Sequence, residues 1–146
     1  MKTSIHPAAL AGALLLLLPS SLLANPRDRQ DVDRAMQTFL RAYQTDDPAL
    51  VSEVFRKDGV MIGYSAARGE GLLQRTGADF ASGFSGKPAQ DEALRKRSYE
   101  IVDVTPQLAA VRVTLDYPGW KGVDYVVLYK TGGRWMIMSK TWTGHS

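Results

Sequence analysis

The chain is expected to fold as an α+β domain, a cone-shaped curved antiparallel sheet covered by N-terminal helices. Three observations predict this. Helical periodicity is confined to the early part of the chain and strand periodicity to the later part, the pattern of helices segregated to one face of a sheet. Alternation is clean in Val111, Val113 and Leu115 against Arg112, Thr114 and Asp116. Two β-rich runs, Val123–Lys130 and Arg134–Thr143, flank a Gly132-Gly133 turn and read as a long hairpin. A bent sheet under helices encloses a conical space, which is either filled by side chains or used as a ligand pocket.

The elements follow in order. From Asp31, Val32, Met36, Phe39, Leu40 and Tyr43 recur at helical spacing, with Arg34, Gln37, Arg41 and Gln44 opposite. That helix ends at Thr45-Asp46-Asp47-Pro48. Asp47 caps a second helix with Pro48 at its first position, and Leu50, Val51, Val54 and Phe55 supply its apolar stripe. Lys57-Asp58-Gly59 reads as a turn. Val60–Ile62 then opens a strand, and Gly63-Tyr64 leads out of it. A short strand around Leu72-Leu73 and a brief helix from Ala78 to Phe84, capped by Thr76, come next. Residues 86–91 form a loop, and strands Lys96–Thr105 and Leu108–Tyr117 join at Pro106-Gln107. Pro118-Gly119 breaks the chain before the final hairpin.

The stretch Tyr117–Thr143 holds all three tryptophans, Trp120, Trp135 and Trp142, too much apolar area to leave in water. It also carries Asp124 and Lys140 where a sheet face would otherwise be apolar. With a Thr131-Gly132-Gly133 loop, Asp124 lies opposite Lys140, Val126 opposite Met138 and Leu128 opposite Met136. The other face then pairs Tyr129 with Trp135 and Val127 with Ile137. A two-residue loop slips the register by one and sets Asp124 against Thr141. The first register is preferred because both faces stay chemically coherent.

Composition narrows the function. The 146 residues suit one domain. Met1–Ala24 has the order of a secretory signal peptide: Lys2, an apolar run from Ala8 to Leu18, and a small residue before cleavage. The domain is therefore expected at residues 25–146, periplasmic or secreted, with no membrane attachment after cleavage. The run is too short to span a bilayer. There is no cysteine, which removes disulfides, thiol nucleophiles and thiolate metal sites. The net charge of +3 falls to about +2 without the leader, and the one basic run, Arg95-Lys96-Arg97, reads as a solvated strand edge. Nucleic acid is not an expected partner. The mature chain has one histidine, His145 beside the terminus, so neither a Ser-His-Asp set nor a metal cage is expected. Gly69-Glu70-Gly71 lacks the helix and lysine of a phosphate loop.

The helical pair ending in Val54–Gly59, then Tyr117-Pro118-Gly119, Asp124-Tyr125, Gly133-Arg134-Trp135 and Ser139-Lys140-Thr141 give the chain a resemblance. From about Val32 to Thr143 it resembles the nuclear transport factor 2-like superfamily, a cystatin-like roll, and within it the putative lumazine-binding family. The closing motifs carry the family and the helical part only the superfamily. Arg56 stands where relatives often have histidine, so any role of that residue is lost. The resemblance implies a pteridine-like ligand; no cofactor is expected. Steroid isomerases of the superfamily use a tyrosine, a base aspartate and a second, protonated aspartate. Phe39 and Gly63 occupy the first two positions here, and only Asp124 matches. Neither Phe39 nor Gly63 transfers a proton, so no residue is assigned as catalytic.

The candidate ligand-binding residues are Asp124, Lys140, Tyr64, Trp142 and Met138, with Val126 completing an apolar wall. Asp124 and Lys140 orient a ligand, or satisfy each other at the pocket mouth; their attraction is expected to favour ionised Asp124. Tyr64 stacks on a ligand or stays an edge aromatic. Trp142 roofs a planar ligand or packs in a core or dimer interface. Trp135 with Tyr129 reads as structural packing, and Arg112 as sheet-surface solvation. Three functions remain open: a binding protein for a small, partly apolar molecule, homodimeric through the outer sheet face; an isomerase, dehydratase or cyclase using Asp124 as acid or base with Tyr64 assisting; and an interaction module whose cone its own side chains fill.

Overall fold

The computed structural model describes residues 24–65 and 71–146. The leader up to residue 23 and most of the Gly69-Glu70-Gly71 stretch lie outside the described residues. Helix α1 (Pro26–Thr45) begins earlier than its apolar periodicity. Asn25 supplies the reason: its side chain accepts from the Arg27 amide while Asp28 at the third position returns a bond to the Asn25 amide. Asp47 caps α2 (Pro48–Val54) as expected, accepting from the Ala49 amide at 2.8 Å. Thr76 caps α3 (Gly77–Ala81), and Asp79 closes its capping box. The helix stops at Ala81, short of Phe84.

Strands β1 (Phe55–Ser65), β2 (Leu72–Thr76), β3 (Lys96–Val104), β4 (Leu108–Tyr117), β5 (Trp120–Thr131) and β6 (Arg134–His145) form one sheet in the order β2-β1-β6-β5-β4-β3. Neighbours run antiparallel except β1 and β6, which are parallel. The expected turn at Lys57–Gly59 is instead an irregularity inside β1, where the register against β6 shifts between Phe55 and Val60. Gly63 and Tyr64 continue that strand.

The inner face carries Ala109, Val111, Val113 and Leu115 from β4, Val126 and Leu128 from β5, and Trp135 and Ile137 from β6, all buried. Val32, Met36, Phe39 and Ala42 of α1 close over them with Val51 of α2. Each fully buried aliphatic or aromatic side chain contributes about 1.5–3 kcal/mol of transfer free energy. Lys130 on β5 ties the sheet to the first turn of α1, donating to buried Asp28 at 2.6 Å.

The final hairpin corrects the register. Gly132 and Gly133 both take positive φ (58° and 79°) in a two-residue turn, so Thr131 pairs with Arg134 and Leu128 with Ile137. Met138 is then an extra residue, a bulge. Beyond it Val127 pairs with Ser139, Val126 with Lys140, and Asp124 with Trp142. Neither Lys140 nor Thr141 faces Asp124 directly. The bulge has a purpose visible in the burial pattern: without it, Trp135 and Ile137 would share a face with Ser139 rather than with Lys140 and Trp142. Trp135 accordingly lies in the core, and Tyr129, expected to pack against it, is exposed on the outer face.

Candidate functional site

A cavity of about 320 Å³ opens between the helices and the inner face of β1, β4, β5 and β6. Tyr43 of α1 and Phe80 of α3 cover it, their ring centres 6.0 Å apart and their planes inclined at 62°. Phe84 extends that cover, 5.1 Å from Phe80. Met61, Leu73 and Leu115 add aliphatic wall.

Two indoles line the cavity, and each is seated over glycine. A Cβ on Gly63 would fall 1.9 Å from the Trp142 ring, and one on Gly122 or Gly144 would fall 2.1 Å from Trp120. Gly63 pairs with Trp142 across β1 and β6, while Gly122 and Gly144 pair across β5 and β6. Backbone without side chains is what lets flat rings lie close to the sheet. Gly63, where isomerases of this superfamily are expected to hold a base, is thus the seat of an aromatic wall.

Asp124 and Lys140 sit at the bottom of this space, 1% and 4% exposed. They are diagonal neighbours across β5 and β6, and Lys140 Nζ donates to Asp124 Oδ2 at 2.7 Å. The ammonium also stands 5.8–5.9 Å from the ring centres of Tyr43, Phe80 and Trp142, within cation–π reach. Asp124 Oδ1 is buried with no hydrogen-bond partner among the described residues. Burial pushes the Asp124 carboxyl up, and the attraction of Lys140 offsets only part of this. Burial likewise pushes the Lys140 ammonium down against the pull of Asp124. Pairing with Lys140 favours the ionised carboxylate, as expected, but desolvation is the larger effect and the net shift is upward.

A second polar layer flanks the cavity. The Tyr117 hydroxyl accepts from Arg97 Nε at 2.8 Å, and Arg97 is held by Glu92. The Arg95 and Arg97 guanidiniums lie 4.6 and 4.8 Å from the Tyr117 ring centre. Only Lys96 of the Arg95-Lys96-Arg97 run is exposed. The run is a clamp on a cavity tyrosine rather than a solvated edge.

Of the residues singled out in the sequence, the structure brings Asp124, Lys140 and Trp142 together around the cavity. Tyr64 does not join them. It is 44% exposed, because Met61 and Gly63 take the inward positions of β1. Met138 is half-buried in the bulge and Val126 is buried in the core, and neither lines the cavity. Sequence reasoning missed Tyr43, Phe80, Tyr117 and Trp120. Helical spacing marked Tyr43 as inward, but nothing local distinguished a cavity wall from the core. Among the described residues no cluster of three or more His, Asp or Glu side chains is placed to hold a metal ion. No described helix is long and apolar enough to cross a membrane.

Solved structures share this architecture. A nuclear transport factor 2-like protein of unknown function from Methylobacillus flagellatus superposes with a TM-score of 0.72 at 22% identity, covering 86% of this chain and 98% of that one. One from Shewanella baltica gives 0.69 at 15% identity, with 85% and 98% covered. A ketosteroid isomerase-like protein from Erwinia carotovora atroseptica gives 0.57 at 17% identity, with 84% and 99% covered. These likenesses establish the fold alone. No curated protein matches the chain. The family described as putative lumazine-binding matches residues 27–143, nearly the whole described domain. The chain belongs to that family, on a nuclear transport factor 2-like fold.

Proposed function

We propose that the protein binds a small, planar, partly apolar molecule between its helices and sheet. The observation that carries this reading is a cavity of about 320 Å³ walled by Trp120 and Trp142 over the buried Asp124–Lys140 pair. Flat rings at the sides and one polar spot at the bottom are what a ring system with a polar edge requires. The family description points to pteridine-like ligands, which have that shape. Native mass spectrometry of the chain prepared from producing cells without refolding tests the reading. A non-covalent mass that disappears on denaturation, and that Leu73→Trp abolishes by filling the cavity, supports it. Retention of the same mass in the filled variant argues against it.

Export and self-association belong to the same proposal. The order of charges and apolar residues in Met1–Ala24 supports a cleaved leader, checked by the N-terminal mass of protein from the exported fraction. The outer sheet face exposes Tyr125 and Tyr129 and supports a homodimer there, checked by light scattering of wild type against Tyr125→Glu.

One observation favours an enzymatic reading. Asp124 lines the cavity, and burial shifts its carboxyl upward, the direction that suits a general acid or base. Asp124→Asn lowers turnover by about 10² or more if Asp124 transfers protons, but changes binding by only about tenfold if it sets polarity.

A further inference from the structure

The polar groups that line the cavity are unbalanced. Its charged members are Arg75, Asp124 and Lys140. Asp124 and Lys140 close on each other at 2.7 Å, and the second carboxylate oxygen is sealed from the cavity, so the pair presents no carboxylate to a ligand. Arg75 is exposed and forms no ion pair among the described residues. Asp79 feels its charge, but Asp79 Oδ2 is taken by the amide and hydroxyl of Thr76. The lining is left with one positive charge in excess. Its neutral groups lean the same way. Among the described residues, the sealed polar side-chain atoms without a partner are Asp124 Oδ1 and Trp135 Nε1. The Tyr43 hydroxyl and the Trp120 and Trp142 indole N–H groups make no hydrogen bond there either, so they stay accessible, and an indole can only donate.

Register places the excess charge at the rim. Arg75 pairs with Met61 across β1 and β2, and residues directly opposite in an antiparallel pair share a face. Met61 is buried and lines the cavity, so Arg75 stands on the inner face, on the edge strand of the sheet. Leu73, on the same face of β2, pairs with Gly63, the seat of Trp142. Inward from Arg75 the walls are aromatic and aliphatic. We propose that the cavity selects aromatic monocarboxylates, with the ring between Trp120 and Trp142 and the carboxylate on the Arg75 guanidinium at the mouth. This rests on the reading that the cavity binds a planar, partly apolar molecule, and it names the charge and the head group of that molecule. A guanidinium fork matches a carboxylate through two parallel bonds, one charge against one. A cationic ring would meet the same excess charge with no carboxylate free to receive it. Arg75 is thus a specificity-determining residue.

The test compares, by calorimetry, three rings of one shape that differ in the charge of the head: 2-naphthoate, 2-naphthamide and 2-naphthamidine. Naphthalene serves as the headless ring. Naphthoate is expected to bind at least about fivefold more tightly than the amide, and the amidine most weakly of the three. Arg75→Gln, a change at an exposed position, is expected to abolish the preference for naphthoate over the amide. An amide or amidine that binds the wild type as tightly as naphthoate overturns the carboxylate proposal and leaves the cavity reading standing. A preference for naphthoate that persists in Arg75→Gln also overturns it, and leaves Arg75 as an inward charge that deters edge pairing of β2. Binding of none of the four rings, naphthalene included, overturns the cavity reading and the proposal together.

Discussion

The Trp142 indole occupies the space in which a side chain at position 63 would begin, with a Cβ on Gly63 falling 1.9 Å from the ring. The wall of the cavity and the missing base of an isomerase-like site are therefore one feature. Gly63→Ala is expected to destabilise the fold by about 1–3 kcal/mol, or to push the indole into the cavity. Thermal melts read the first effect and a blue or red shift of tryptophan emission the second. Unchanged melting and emission would show that Trp142 is not seated there.

The buried pair makes stability depend on pH in a definite direction. Lys140→Met removes the attraction that partly offsets the burial of Asp124. The folded pKa of Asp124 then rises further above its unfolded value. Such a group contributes stability fully below the unfolded pKa, near 4, and loses it as pH rises through the folded pKa. The penalty of Lys140→Met is thus smallest in acid and grows toward neutrality, reaching about 3–5 kcal/mol if the carboxylate stays charged. Denaturant titrations at several pH values check this. A penalty independent of pH would contradict the assignment.

Asp28 behaves in the opposite sense. The hydrogen bond from Lys130 is the chief cause that holds its carboxyl below the usual range. Its contribution is present above the unfolded pKa and is lost as pH falls through the folded value, below about 3.8. Asp28→Asn is expected to flatten the acid limb of the stability curve while leaving the cavity intact. Unchanged acid sensitivity in this variant would remove Asp28 from the account.

The bulge at Met138 sets which way the end of β6 faces. Deleting Met138 moves Lys140 and Trp142 to the outer face or drives Trp135 and Ile137 out of the core. Either outcome costs several buried side chains, each about 1.5–3 kcal/mol, and is expected to abolish cooperative folding. Conversion of Met138 to Ala keeps the count of residues and is expected to be mild. Near-ultraviolet circular dichroism distinguishes the two.

Much of the fold was legible because its local signals agree. Asp47-Pro48, Thr76 with Asp79 and the Gly132-Gly133 turn each carry backbone chemistry that a sequence displays. The nearness of Asp124 and Lys140 was legible too, from two charges on an apolar face. Their register was not. A bulge inserts one residue with no compositional mark, and Met138 suits either a paired or an unpaired position. Tyr64 and Met138 were candidate site residues on the strength of type and neighbourhood, whereas alternation along β1 and the bulge in β6 decide which side chains reach the cavity. The glycine seats under Trp120 and Trp142 escaped for a related reason. Gly63 lies on a different strand from the indole it admits, and Gly144 is far from Trp120 in sequence, so only the assembled sheet reveals the pairs.

The three tryptophans provide the most direct test of the central claim. Trp120 and Trp142 line the cavity, while Trp135 is buried in the core. Titration of ¹⁵N-labelled protein with lumazine, followed through the three indole N–H resonances, is expected to shift Trp120 and Trp142 saturably and leave Trp135 in place. Saturable shifts confined to the Trp135 indole or to backbone amides of the outer face such as that of Tyr125, with both cavity indoles unmoved, would contradict it.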